Sequence, residues 1–165
     1  MFDADLNTLR ELYRADATAG VKETMATIQA RMRAAARGNS DKLVAWVQNL
    51  NPHDESDADR LSDLYEALAP DAAGLEAFFA EEADRLLAAC EAQPSSAPAF
   101  MAIGSLMFIE KHAPESLQRR LRERFALGLR SSSASVRRAC VDLIGGHEVS
   151  KDAVARSAVV ACLKD

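Results

Sequence analysis

The stretch AFMAIGSLMFI, residues 99–109, is apolar on almost every side, unlike the stretches around it. A helix without a polar face is normally enclosed by other elements of the fold. A membrane span is not indicated, because a helix over residues 97–109 is only about 20 Å long and a bilayer core is about 30 Å thick. We therefore predict that this stretch forms the central buried helix of the protein.

The composition favours helices around it. The chain has 165 residues, of which 48% are hydrophobic and 5% aromatic, and alanine is far commoner than valine and isoleucine together. Alanine has the highest helix propensity, whereas sheets are enriched in β-branched and aromatic residues. The sequence predicts an all-α fold, and its length fits one domain over residues 1–165.

Glycine and proline divide the chain into helix-sized pieces with apolar stripes. Val21, Met25, Ile28 and Met32 follow the spacing i, i+4, i+7, i+11, which places them on one face of a helix. Similar stripes recur along the chain, and we count about nine helices. The last of these is predicted from Val154, Ala158 and Cys162.

An internal repeat is visible when the chain is shifted by 37 residues. The shift sets Ser95-Ser96-Ala97 on Ser132-Ser133-Ala134, Ala102 on Ala139 and Leu106 on Leu143. A period of 35 to 40 residues made of paired helices is typical of an α-solenoid. Within it, FALGLRSSSASVRRACVDLIGG, residues 125–146, resembles a HEAT repeat. The matching positions are Val136, Arg137, Ala139, Leu143 and Gly145.

The resemblance covers roughly the last 70 residues, and we assign residues 71–165 to HEAT-like repeats. It implies stacked antiparallel helical hairpins, a HEAT-like α-solenoid. It implies that a concave face or edge loops bind a partner, usually a protein, and it implies no catalytic residues. Residues 1–70 carry helical hairpins without a clear repeat. A nonrepetitive helical bundle remains the alternative fold.

Motifs for chemistry are missing from the sequence. There is no phosphate-binding glycine loop, no nucleophile elbow, no H-E-x-x-H and no C-x-x-C. His53, His112 and His147 are not spaced as metal ligands. Cys90 and Cys140 lie in apolar helical runs, as does Cys162, which indicates buried thiols. We expect no enzymatic activity, no cofactor and no metal, although distant helices of an all-helical enzyme could bring carboxylates and histidines together.

The middle of the chain is acidic. Residues 51–95 contain twelve Asp or Glu and two Arg, a net charge of −10. Such a surface could attract a basic protein or simply keep a helical face soluble. Glu81, Glu82 and Asp84 are expected to point to solvent. The candidate partner-binding residues are Asp57, Asp59, Asp63, Glu81, Glu82 and Asp84.

The last part of the chain is basic. Residues 96–165 contain eleven Lys or Arg and seven Asp or Glu, a net charge of +4. Arg120 and Arg124 share a helix face, and Arg137 and Arg138 begin the next helix, so these four are a candidate anion-binding patch. Nucleic acid is a less favoured partner, because the whole chain has a pI of about 5.3.

Three functions remain open from the sequence. The first is a non-enzymatic adaptor or scaffold that binds a partner protein through its concave face or acidic segment. The second is an acidic immunity or antitoxin protein that inhibits a basic toxin, and the third is a nucleic-acid-associated HEAT-like protein. Without a signal sequence or membrane span, a cytoplasmic location is expected. An uncovered terminal helix would favour a dimer.

Overall fold

The computed structural model describes residues 2–15, 19–37, 39–145 and 160, and within them it contains helices and no strands. The prediction of an all-α fold is confirmed. One 3-10 helix covers Ala69–Gly74. The α-helices are α1 (Phe2–Arg14), α2 (Ala19–Arg37), α3 (Ser40–Gln48), α4 (Glu55–Leu68), α5 (Glu76–Ala92), α6 (Ala97–His112), α7 (Glu115–Gly128) and α8 (Ala134–Gly145).

Helix α6 lies at the centre of the fold, as the sequence predicts. It packs against α4, α5, α7, α8 and the 3-10 helix. Ser96 caps its N-terminus, because the Ser96 hydroxyl accepts a hydrogen bond from the backbone N–H of Ala99. Pro98 lies in the first turn, where a missing N–H leaves no hydrogen bond unmade. Its side chains at Ala102, Ile103 and Leu106 are almost fully buried. Across the described part of the chain, none of the helices is both long and apolar enough to span a membrane.

Helices α5 and α7 are parallel neighbours. Near their first turns, the hydroxyl of Ser116 donates to Oε1 of Glu76 over 2.7 Å. Two turns further on, Nε of Arg124 lies 3.2 Å from Oδ1 of Asp84. The contacts advance by the same number of residues along both helices, so each residue of α5 lies beside the residue about 40 positions later in α7.

The same register continues to the end of α7, where three helices meet at Gly128. A Cβ atom on Gly128 would lie 2.5 Å from Sγ of Cys140 in α8 and 3.1 Å from a methyl carbon of Leu87 in α5. The missing side chain of Gly128 is therefore what allows α7 to approach α8 this closely.

Two of the three cysteines are buried thiols, as expected. Cys90 and Cys140 form no disulfide bond with each other, and both are inaccessible to solvent. Burial, with the nearby charge of Glu91, raises the pKa of the Cys90 thiol to about 12, so the thiol is neutral at physiological pH. Cys162 and most of the ninth predicted helix lie outside the described residues, as does His147.

Candidate interaction surface

Helix α5 has an apolar inner face and an acidic outer face. The outer face carries Ala77, Glu81, Asp84, Ala88 and Glu91, all exposed and spaced at i, i+4, i+7, i+11 and i+14. Buried residues cover the inner face: Phe78, Phe79, Glu82, Ala83, Leu86, Leu87 and Cys90. The outer stripe thus presents three carboxylates and two alanines.

The expectation that Glu82 points to solvent is wrong. Its side chain is only 3% exposed and accepts hydrogen bonds from Tyr65 and Arg85. Nε of Arg85 donates to Oε2 of Glu82 over 2.9 Å, and Nη2 donates to Oε1 over 2.5 Å. Nη1 of Arg85 reaches the carbonyl oxygen of Leu50, 3.1 Å away. Glu82 therefore joins α5 to α4, and its partner Arg85 joins α5 to the segment after α3.

This buried cluster connects α5 to its neighbours through hydrogen bonds and an ion pair. Burial and the adjacent negative charge of Glu82 raise the pKa of the Tyr65 hydroxyl well above its ordinary value, so Tyr65 stays a neutral donor. Arg85 balances the charge of Glu82. Sequence spacing carried a signal that we missed, because Glu82 lies three residues after Phe79 and four before Leu86, on the buried side of the helix.

The predicted partner-binding residues on α4 are paired within the chain. Arg10 of α1 lies 4.0 Å from Asp59 and 3.7 Å from Asp63. Nη1 of Arg60 lies 3.3 Å from Asp57. These three carboxylates therefore have arginine neighbours already, which leaves less of their charge available to a partner protein.

Other ion pairs attach α1 and α2 to their surroundings. Arg31 of α2 pairs with Asp5 of α1. Arg37 pairs with Asp71 of the 3-10 helix, and Nε of Arg33 lies 3.4 Å from the second oxygen of the same carboxylate. The acidic segment is thus partly neutralised by arginines from the first two helices.

The structure brings one residue of the predicted acidic patch into contact with one of the predicted basic patch. This is the Asp84–Arg124 pair, in which both side chains remain nearly half exposed. Arg137 has another role, since its Nη1 donates to the carbonyl oxygens of Ser131 and Ser132 and so supports the turn before α8. Arg120 and Arg138 are exposed.

Helix α7 contributes a second outer stripe beside that of α5. Arg120, Arg124 and Leu127 are exposed and spaced at i, i+4 and i+7, and Leu127 is 57% exposed. We call the two outer stripes together the α5–α7 face. Leu127 was not among the binding residues predicted from the sequence. The α5–α7 face consists of Ala77, Glu81, Asp84, Ala88, Glu91, Arg120, Arg124 and Leu127.

A groove of about 460 Å³ beside α1 and α2 is a weaker candidate. Thr8, Thr24 and Thr27 line it, and each hydroxyl donates to the carbonyl oxygen four residues earlier in its own helix. Their donors are therefore not available to a ligand. Among the residues that the structure describes, no group of three His, Cys, Asp or Glu side chains is arranged to hold a metal ion.

The α5–α7 face carries charged and apolar side chains together on two adjacent helices. Glu81, Glu91 and Arg120 form no ion pair with any described residue, and Leu127 lies beside them. Comparisons with protein-family models, with curated proteins and with solved structures found no match for this chain.

Proposed function

We propose that this protein is a non-enzymatic, HEAT-like interaction module that binds a partner protein in the cytoplasm through its α5–α7 face. The observation that carries the proposal is the parallel register of α5 and α7, in which Glu76 lies beside Ser116 and Asp84 beside Arg124. A stack of helical hairpins places equivalent helices of successive units side by side in this way.

Two further contacts support the stacking of hairpins. Helix α6, which follows α5, contacts α8, which follows α7, so both members of each hairpin have a neighbour in the next. Ser105 of α6 donates to the hydroxyl of Ser62 in α4 over 2.6 Å, which extends the row to α4. The 40-residue register lies close to the 37-residue shift seen in the sequence and at the upper end of the 35 to 40 residues typical of paired-helix repeats.

The chemistry of the α5–α7 face fits a protein ligand. The face combines charges of both signs with the exposed side chain of Leu127, on helices held rigidly by buried neighbours. Protein interfaces combine apolar side chains with polar and charged ones, whereas a nucleic-acid surface is dominated by positive charge.

The proposal can be tested by affinity capture from the native cell extract. Tagged wild-type protein is compared with Glu81→Arg and with Glu66→Arg, which makes the same charge change on the exposed side of α4. We expect a near-stoichiometric protein that binds to the wild type and to Glu66→Arg but is lost with Glu81→Arg. Equal recovery with all three proteins, or recovery of nucleic acid in place of a protein, would contradict the proposal.

A further inference from the structure

We propose that the α5–α7 face binds the same face of a second copy of this chain, with a two-fold axis parallel to the helices. This inference rests on the proposed function and names its partner. It follows from the order of charges on the face, where an acidic stripe on α5 runs beside a stripe on α7 that carries two arginines and a leucine.

The two-fold operation places each acidic stripe on the other copy's basic stripe. Rotation about an axis that lies between α5 and α7 and runs along them moves α5 of one copy onto α7 of the other, in parallel orientation. The operation does not shift residues along the helices. The 40-residue register within one copy therefore also decides which residues face each other between copies.

That register matches three pairs at once. Glu81 meets Arg120 of the second copy, since the two differ by one residue, about 1.5 Å, along the helix axis. Asp84 and Arg124 of one copy meet Arg124 and Asp84 of the second copy at the two-fold axis. These four side chains form a ring in which acidic and basic groups alternate. Leu127 meets Ala88, which is small enough to leave room for it.

A different two-fold axis would not give this match. Rotation about an axis perpendicular to the helices would set α5 on α5, so that Glu81, Asp84 and Glu91 would face three carboxylates of the same kind. Like charges placed opposite each other are unfavourable and exclude the wrong arrangement. The charge order thus selects one symmetry.

The size of the face predicts a weak dimer. A helix of 17 residues is about 25 Å long, and two adjacent helices are about 20 Å wide, so each copy contributes roughly 500 Å². Stable interfaces bury about 800 Å² per partner. We expect a dissociation constant in the micromolar range that rises at least tenfold between low and high salt, because charge pairs dominate the contact.

Sedimentation velocity at about 5 to 200 µM protein covers the range in which such a dimer should form and dissociate. We expect the wild type to dimerise, and Glu81→Arg and Arg120→Glu each to be monomeric, since each homodimer would contain two like-charged pairs. An equimolar mixture of the two variants should dimerise again. In the mixed dimer, positions 81 and 120 face each other twice, and each time an arginine meets a glutamate. The double variant should also dimerise, and Glu66→Arg, as the matched control, should behave like the wild type.

Dimerisation of the mixture shows that the single variants lost a contact rather than their fold, since two misfolded variants would not form a dimer together. A wild type that stays monomeric at the highest concentration in low salt would overturn the inference, as would a mixture that stays monomeric. If the wild type is monomeric but cell extract yields a different protein whose capture is lost with Glu81→Arg, the proposed function stands and only the second copy is excluded as partner. If no protein depends on Glu81, both fail.

Discussion

The first and last parts of this molecule are joined to their neighbours in different ways. Arginines and carboxylates link α1 and α2 to each other, to α4 and to the 3-10 helix, as in the pairs of Arg10 with Asp63 and of Arg33 with Asp71. Between α5, α7 and α8 the contact is mainly apolar and close, with Leu87 and Cys140 packed around Gly128. Both regions also contain buried leucines.

The difference shows that charged side chains help to attach the first two helices, whereas apolar packing holds the last helices together. Partly exposed ion pairs contribute up to about 1 kcal/mol each and weaken with salt, whereas buried apolar side chains contribute more and respond little to salt. The attachment of α1 and α2 should therefore depend on ionic strength more than the packing of α5 to α8 does. Four substitutions test this contrast.

The largest effect is expected from Phe125→Ala in α7. Phe125 is 2% exposed and lies in the apolar region, so its truncation should lower the free energy of unfolding by about 3–5 kcal/mol. Urea denaturation in low and high sodium chloride measures this loss, which should be the same in both. A loss that disappears in high salt would contradict an apolar origin.

Glu82→Gln should have the next largest effect. The substitution removes the negative charge that accepts two hydrogen bonds from Arg85, and we expect a loss of about 2 kcal/mol in the free energy of unfolding. The neighbouring Glu81→Gln is the matched control, because Glu81 is exposed and should change stability by less than about 0.5 kcal/mol. Similar losses from both variants would show that the buried carboxylate contributes no more to the free energy of unfolding than an exposed one does.

Gly128→Ala tests the close approach of α7 and α8. The added methyl group would overlap with Sγ of Cys140, and we expect a loss of about 1–2 kcal/mol despite the higher helix propensity of alanine. Gly104→Ala is the control, since no atom beyond its chain neighbours and the backbone of its own helix lies within 4 Å of the new Cβ, and it should be neutral or stabilising. Combining Gly128→Ala with Cys140→Ala should recover part of the loss, and strictly additive effects would argue against the clash.

The smallest effect is expected from Arg10→Gln. The substitution removes the pairs with Asp59 and Asp63 and should cost less than about 1 kcal/mol, with most of that loss gone in high salt. The readout is the fluorescence of Trp46, the one tryptophan of the chain, whose ring centre lies 5.4 Å from that of Phe2 in α1. Exposed Arg119→Gln is the control, and a salt-independent loss for Arg10→Gln would contradict the ionic attachment.

Much of the fold could be predicted from local patterns. The apolar run over residues 99–109 identified the central helix, and the stripe of Val21, Met25, Ile28 and Met32 identified α2. Both predictions depend only on the spacing of apolar residues that are close together in the sequence. The partners of Arg10 could not be predicted in the same way. Asp59 and Asp63 follow it by about 50 residues, and only the packing of α1 on α4 brings them together.

The candidate surface was predictable in part. Charge counts drew attention to α5 and α7, and helical spacing put Arg120 and Arg124 on one face. The charge pattern alone did not separate Glu82 from Glu81, although adjacent residues of a helix point about 100° apart. It also could not show that Asp84 and Arg124 are neighbours, because that contact depends on the register between two helices.

The parallel register of α5 and α7 has a consequence for how this chain tolerates insertions. In the proposed stack of hairpins, a further inserted hairpin of about 40 residues would add one layer and give each helix an equivalent neighbour. An insertion of two or three residues within α7 would instead rotate the rest of the helix by more than half a turn, because each residue turns the helix by about 100°. Arg124 would then leave Asp84, and Gly128 would no longer face Cys140, so changes in length should be accepted in whole layers and rejected in fragments.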